Sequence, residues 1–154
     1  MTQEALLAYA HLLAILTMVV FLASEAALCR PEWLNAAAIE RLARIDAVYG
    51  VAAGAVFATG LARVFLGAKG GEWYGNNWLL WTKFGLFVLI GLLSIKPTLM
   101  FRRWRKAVRA RQGLPQHDEI RKARKLVMVQ AHIIPLIPLA AVFLARGYGA
   151  LPGP

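Results

Sequence analysis

Four long stretches of apolar residues, separated by shorter polar segments, dominate the pattern of the chain. The stretches lie at about 5–28, 45–66, 78–100 and 126–146. Each reaches the roughly 20 residues that an α-helix needs to cross a hydrocarbon core of about 30 Å. The pattern predicts an all-α integral membrane protein, an antiparallel four-helix bundle that forms a single domain over residues 1–154.

Composition agrees with this pattern. Hydrophobic residues make up 59% of the chain, against roughly 45–50% in soluble globular domains. The single cysteine, Cys29, excludes a disulfide framework within the chain and a cysteine-based metal cluster. The first stretch is expected to stay as a span, because no Lys or Arg precedes it and Leu28 does not suit a lipoprotein-type cleavage before Cys29.

The net charge of +10 is unevenly distributed, and the distribution predicts an orientation. Ten basic residues lie between the third and fourth stretches: Arg102, Arg103, Arg105, Lys106, Arg109, Arg111, Arg121, Lys122, Arg124 and Lys125. The loop 67–77 has only Lys69, and the N-terminal tail has none. The positive-inside rule therefore predicts a multi-pass protein of the bacterial inner membrane, with both termini outside and a basic cytoplasmic loop at 102–125. Such clustering favours a bilayer over a nucleic-acid partner.

Aromatic residues and turn residues agree with this topology. The outer interface is expected to hold Trp73, Tyr74, Trp78 and Tyr148, and the inner interface Trp33 and Trp104. The segment Gly113-Leu114-Pro115 is predicted to break the basic loop into two helical stubs that extend the adjoining spans. Contact with anionic lipid is the expected role of its charge.

Ionisable residues within the predicted spans fall into two layers. Each such residue is a functional hypothesis, because charge inside a bilayer is costly. At 1.5 Å per residue, one layer lies near the outer face: His11, Arg63, Lys83 and Arg146. The other lies near the cytoplasmic face: Glu25, Asp46, Lys96 and Gln130, with His132 above it. Since each layer draws on several helices, the bundle interior is a candidate site of chemistry.

His11 is the main candidate ligand. A membrane histidine can simply hydrogen-bond across a bundle, or its imidazole can serve as an axial ligand of haem b. Haem carries two propionates that need cationic partners, and Arg63 and Arg146 are placed to bind them. Snorkelling to the outer headgroups is the other explanation for these arginines. His132 is a second candidate ligand, although its predicted height differs from that of His11 by roughly 10 Å.

Lys83 lies deep for snorkelling, and no acidic residue falls in the outer half of any predicted span. We therefore expect it to act as a second haem ligand or as a proton-transfer group. In the other layer, Glu25, Asp46 and Lys96 are expected to pair and fix the bundle, which is favoured over proton conduction.

Helical spacing also predicts which residues share a face. His11 and Glu25 are separated by two heptads, with Met18 halfway, so all three should lie on one face of the first helix. Asp46 and Tyr49 are one turn apart and should point the same way. Gly50-x-x-x-Gly54 offers small residues for close helix approach and would suit a homodimer.

The chain resembles a family of bacterial membrane proteins, domain of unknown function 2214. The resemblance covers nearly the whole chain, but the family carries little functional information. The motifs are Arg44-Ile45-Asp46, Tyr49-Gly50, Gly60-Leu61-Ala62-Arg63, Lys69-Gly70, Trp73-Tyr74, Asn76, Lys83, Leu93-Ser94-Ile95-Lys96-Pro97-Thr98 and Ala145-Arg146-Gly147.

A more distant likeness is to the HemJ-type protoporphyrinogen oxidases, which are four-helix inner-membrane proteins. They have a histidine early in the first helix, as His11 is here, and a Trp-Leu-His-x-Lys-Leu-like segment opening the third. The matching segment 78–84 reads Trp-Leu-Leu-Trp-Thr-Lys-Phe, so it keeps the lysine, Lys83, and lacks the histidine. The resemblance implies bound haem b with His11 as a ligand and Lys83 near the reaction centre. The missing histidine leaves the porphyrinogen substrate open.

The sequence therefore predicts a haem b-binding membrane protein in electron transfer or oxidation, in which a quinone or a porphyrin-like compound would be the partner. The alternative is a cofactor-free transporter, or an assembly or structural subunit. In that case the two polar layers would be a proton or substrate path, or only interhelical bonds. The colour of the purified protein discriminates between these classes.

Overall fold

The computed structural model describes residues 2–66 and 77–149. Within these ranges the chain is all-α, as the sequence predicts. The helices are α1 (Thr2–Leu28), α2 (Ala36–Leu66), α3 (Trp78–Arg109), α4 (His117–Ile133) and α5 (Leu136–Ala145). Lys69, Trp73, Tyr74 and Asn76 lie outside the described residues.

The helices α4 and α5 together form a fourth long helix with a break between them. Pro135 lies at the break, and a proline has no backbone N–H to donate to the preceding turn. The helix is therefore interrupted at this residue. In the described part of the chain, four helical segments are long and apolar enough to cross a membrane: α1, α2, α3 and the combined α4–α5.

The helices pack as a ring in chain order. α1 packs against α2, α2 against α3, α3 against α4, and α4 against α1, whereas the backbones of the diagonal pairs α1–α3 and α2–α4 do not approach each other closely. Short connections between contacting helices make the neighbours antiparallel. One end of the bundle holds the start of α1 and the finish of α5, and we call it the terminal end. The opposite end carries the basic segment 102–125 and is called the basic end.

At the basic end the helices extend beyond the predicted spans. α2 begins at Ala36 and α3 continues to Arg109, while α4 begins at His117, so only residues 110–116 form the turn between the two stubs. Gly113 lies in this turn with φ +99°, a conformation that glycine adopts without strain. The segment 102–125 is thus a helical hairpin, which we call the basic hairpin.

Specific polar contacts hold the basic hairpin to the bundle. Arg109 binds both carboxylate oxygens of Glu40, at 2.6 and 2.9 Å. Arg124 donates from Nη1 to the carbonyl oxygens of Ala26 at 2.8 Å and Cys29 at 3.3 Å. These carbonyls end α1 and would otherwise lack partners, so the arginine caps the helix.

At the terminal end a polar latch joins the start of α3 to the end of α5. Asn77 caps α3: its Oδ1 accepts from the backbone N–H of Leu79 at 3.0 Å, and its Nδ2 donates to the carbonyl of Tyr148 at 3.0 Å. Gly147, with φ +86°, makes the left-handed turn that ends α5. The sequence placed Asn77 in a loop and gave no sign of this role, because the contact joins residues 71 positions apart.

Candidate functional sites

At the terminal end, His11 of α1 faces the last turns of α2. Its Nδ1 lies 2.8 Å from the hydroxyl oxygen of Thr59. That hydroxyl points to carbonyls of its own helix, Ala55 at 2.6 Å and Val56 at 3.3 Å. A hydroxyl has only one proton to donate. Nδ1 must therefore carry the proton and donate to Thr59, which leaves Nε2 as the imidazole nitrogen with a lone pair.

Cationic residues from two other helices, α2 and α3, lie near this imidazole. Arg63 and Lys83 both act electrostatically on His11, and Arg63 also acts on Lys83. Gly60 lies against the ring, since a Cβ there would be 3.3 Å from Cε1 of His11. His11 and Lys83 are half-buried, whereas Arg63 is exposed. In the described residues Lys83 has no ion pair, as expected from the lack of acidic residues nearby.

The other two predicted members of a haem site lie elsewhere. Arg146 is exposed at the end of α5, a helix that contacts α3 and α4 but neither α1 nor α2. His132 is also exposed, and its Nδ1 lies 2.6 Å from the carbonyl of Met128 in its own helix. The structure therefore groups His11, Lys83 and Arg63, and it does not bring Arg146 or His132 to them.

The basic half of the bundle holds a buried polar cluster to which all four long helices contribute. Its members are Glu25, Asp46, Tyr49, Thr98 and Gln130, and we call them the basic-end cluster. Thr98 donates to Oδ1 of Asp46 at 2.6 Å, and the Tyr49 hydroxyl donates to Oε1 of Gln130 at 3.0 Å. Asp46 acts electrostatically on Glu25. The prediction that Asp46 and Tyr49 share a face is confirmed.

The expected pairing of Glu25 and Asp46 with Lys96 is wrong. Lys96 is exposed on α3. Thr98, two residues later, points inward instead and lies beside Asp46. Residues two positions apart lie on different faces of a helix, so only one of them can reach the interior. Arg102, one turn beyond Thr98, acts on Asp46 electrostatically.

A cleft of about 160 Å³ lies between α2 and α3 and reaches this cluster. Tyr49 and Thr98 belong both to the cluster and to the cleft wall, and Gly50 and Gly91 form its exposed rim. The remaining lining residues are Met18, Ala53, Phe87, Ile90 and Ser94. A Cβ at either rim glycine would meet nothing within 4 Å, so there is open space on this side of both residues.

Cys29 follows α1 and is fully buried beside the cluster. Its thiol points to the carbonyl of Ile120 at 3.9 Å. Burial raises the pKa of this thiol to about 12, so it is protonated at neutral pH and unreactive. Within the described ranges, no group of three or more His, Cys, Asp or Glu side chains is arranged to hold a metal ion by itself.

Residues 3–149 match a family described as predicted membrane protein (DUF2214). Because the match covers nearly the whole chain, the protein belongs to this family, and the first of the two resemblances is confirmed. No curated protein and no solved structure matches the chain. The likeness to HemJ-type oxidases stays a prediction.

Proposed function

We propose that this membrane protein binds haem b at the terminal end, with His11 as an axial ligand, and that it takes part in electron transfer or oxidation. The hydrogen bond between His11 and Thr59 carries the proposal. Metal-ligating histidines commonly donate their other ring N–H to an oxygen acceptor, which fixes the tautomer and the ring orientation. Thr59 provides that acceptor here and leaves the Nε2 lone pair for iron.

The surroundings of His11 also suit a large planar anionic group. Among the described residues α1 does not contact α5 at this end, so these helices leave the bundle open beside the histidine. Arg63 would pair with a propionate, and Lys83 would serve as the second ligand or hold a proton near the iron. Bound haem would supply a one-electron redox couple. A quinone is the electron partner we favour, because it is soluble in the bilayer.

An absorption spectrum of the purified protein, expressed with a sufficient haem supply, tests the proposal. We expect a Soret band, and its loss in His11→Ala. The matched controls His132→Ala and His117→Ala, which remove an exposed histidine elsewhere, should keep the band. Thr59→Val should keep the ligand but lower haem affinity by about 10-fold or more, the usual effect of losing such an oxygen acceptor.

Two outcomes would overturn the proposal. One is a protein without a Soret band after haem-replete expression, which would favour the cofactor-free alternative. The other is a His11→Ala variant with the same haem content as the unmodified protein. A band lost in both His11→Ala and His132→Ala would require a different ligand pair and a different packing of α4.

We further propose that the terminal end faces the outside of a bacterial inner membrane and that the basic hairpin is cytoplasmic. In a Cys29→Ser background, single cysteines at Gln3 and Gln112 report the two sides. A membrane-impermeant maleimide should label Gln3→Cys in intact spheroplasts and Gln112→Cys only after permeabilisation. The reverse pattern would invert the orientation, while leaving the helix packing unchanged.

A further inference from the structure

Glu25 is the least satisfied polar residue in the basic-end cluster. It is 2% exposed, and its Oε1 has no hydrogen-bond partner in the described part of the chain. Asp46, which is 5% exposed, lies close enough to act on it electrostatically. Two buried carboxyl groups thus belong to the same cluster, and one of them has an oxygen without a hydrogen-bond donor.

The groups around the pair do not neutralise it. From α3, Thr98 donates to Asp46, while Arg102 acts on Asp46 from an exposed position. From α4, Gln130 accepts from the Tyr49 hydroxyl and is neutral. Arg124, also on α4, donates to two backbone carbonyls and not to either carboxyl group. α2 also contributes Tyr49, and the chain after α1 contributes the protonated thiol of Cys29. Neither carboxyl forms an ion pair with a basic residue of the described ranges.

An isolated ionised carboxylate in such surroundings is unfavourable. Charge buried without a partner costs several kcal/mol or more, and the group takes up a proton instead. Two neighbouring carboxyl groups reinforce this, because both cannot ionise at low cost. Asp46 accepts a hydrogen bond that favours its charged form, whereas Oε1 of Glu25 accepts none. The proton therefore belongs on Glu25.

We infer that Glu25 and Asp46 form a proton-binding site, in which Glu25 holds the proton at neutral pH and Asp46 is its carboxylate neighbour. The ligand is a proton, and the site lies in the basic half of the bundle, about 21 Å along α1 from His11 at 1.5 Å per residue. Proton binding here is separate from the proposed haem site, and it is expected in haem-free protein as well.

The hydroxyl groups near the pair provide a route for exchange. Thr98 contacts Asp46 directly and also lines the cleft between α2 and α3. Ser94, one turn away on the same helix, lines the cleft too and donates to the carbonyl of Gly91 at 2.7 Å. The hydroxyl groups of Thr98 and Ser94 both donate their own proton within the protein, so each oxygen keeps lone pairs that can accept a hydrogen bond. Such a wall accepts a hydrogen-bond donor, as proton transfer to the site requires.

Infrared spectroscopy of the purified protein in detergent tests the inference. We expect the carbonyl stretch of a protonated carboxylic acid at neutral pH, shifted in D₂O. Glu25→Gln should abolish this band, and Asp46→Asn should shift it, because the neighbouring charge is removed. Glu40→Gln, which replaces a carboxylate bound to Arg109 at the protein surface, is the matched control and should leave the band unchanged.

The inference fails if the unmodified protein shows no such band at neutral pH, or if the band keeps its full intensity in Glu25→Gln. The first measurement needs no variant, so it decides the question even if a substitution prevents folding. Glu25→Gln replaces a protonated carboxyl by a neutral group of the same shape, and we expect it to fold. A destabilised Glu25→Gln protein together with a missing band in the unmodified protein would show that Glu25 is ionised.

Discussion

The two ends of the bundle are built from the same helices but are packed differently. At the basic end α1 contacts both α2 and α4, and side chains such as Leu42, Phe101 and Val127 have no exposed surface. At the terminal end α1 contacts α2 but not α5. Leu6 and Leu12 there are more than half exposed, at 64% and 54%.

This difference separates two kinds of polar site. The closed end can isolate a carboxyl group from water and from counterions, which is what proton binding at Glu25 requires. At the terminal end His11 and Lys83 are only half-buried. An ionisable residue is therefore expected to bind a proton at the basic end and a ligand at the terminal end. The sequence alone does not distinguish these two roles, because it gives only the depth of each residue in the membrane.

The largest expected effect is the loss of a basic-end core side chain. Phe101 has no exposed surface and packs against the Trp104 ring with centroids 5.5 Å apart. Phe101→Ala should lower the free energy of unfolding by about 3–5 kcal/mol, because it leaves a cavity. Leu12→Ala at the terminal end is the control and should change it by less than about 0.5 kcal/mol. Unfolding titrations in mixed detergent micelles measure both, and equal losses would refute the contrast between the ends.

A second variant tests the latch at the terminal end. Gly149 has φ +81°, and a Cβ there would lie 2.8 Å from Oδ1 of Asn77. Gly149→Ala should therefore cost about 2–3 kcal/mol through strain and the broken cap. Gly113→Ala has the same kind of backbone conformation, with φ +99° and nothing within 4 Å, so it should cost only about 1 kcal/mol. An equal cost for both would mean that the latch contributes nothing.

The fold could be predicted from the sequence because a bilayer requires long apolar helices, and their lengths and order are visible in the apolar stretches. The break near Pro135 and the turn at Gly113 followed from residue types whose backbone limits are fixed. The extension of α2 back to Ala36 could not be predicted, since Glu40, Arg41 and Arg44 place charges in the turns that precede the apolar stretch. They are stabilised by the basic hairpin, through contacts such as Arg109 with Glu40.

The sites were predictable only where residues share a helix. The heptad spacing placed Met18 and Glu25 on the buried face of α1, and both are buried. Pairing across helices was not predictable, because depth alone cannot distinguish Lys96 from Thr98. The contact between His11 and Thr59 was missed for the same reason: a threonine within a span commonly bonds its own helix, and only the packing of α1 on α2 shows that its lone pair faces the histidine.

A smaller effect is expected at the surface of the basic hairpin. Glu119 accepts from Arg103 at 2.7 Å and from the buried Trp104 indole at 3.2 Å. Glu119→Ala should therefore cost about 1 kcal/mol. Asp118→Ala is matched to it, since Asp118 lies in the same first turn of α4 but is exposed, and it should cost no more than about 0.5 kcal/mol. Unfolding titrations in detergent at low salt compare the free energies of unfolding of the two variants. Equal losses would mean that Glu119 acts only through its negative charge at the N-terminus of α4, and not through Arg103 and Trp104.

The smallest expected effect is a difference in stability between two glycine variants, and it reports how rigidly the terminal end holds the His11 ring. An alanine within a helix is favoured over glycine by roughly 1 kcal/mol, so Gly54→Ala, with nothing within 4 Å, should stabilise the protein by about that amount. In Gly60→Ala the same gain is opposed by a contact of 3.3 Å with the His11 ring. Of the described helices only α2 packs its backbone closely against α1 here, so the ring can move by a few tenths of an ångström. The two variants should therefore differ by only about 0.5 kcal/mol. A difference above about 2 kcal/mol would show that the imidazole is held as rigidly as the basic-end core, and the terminal end would then be a preorganised site rather than an open one.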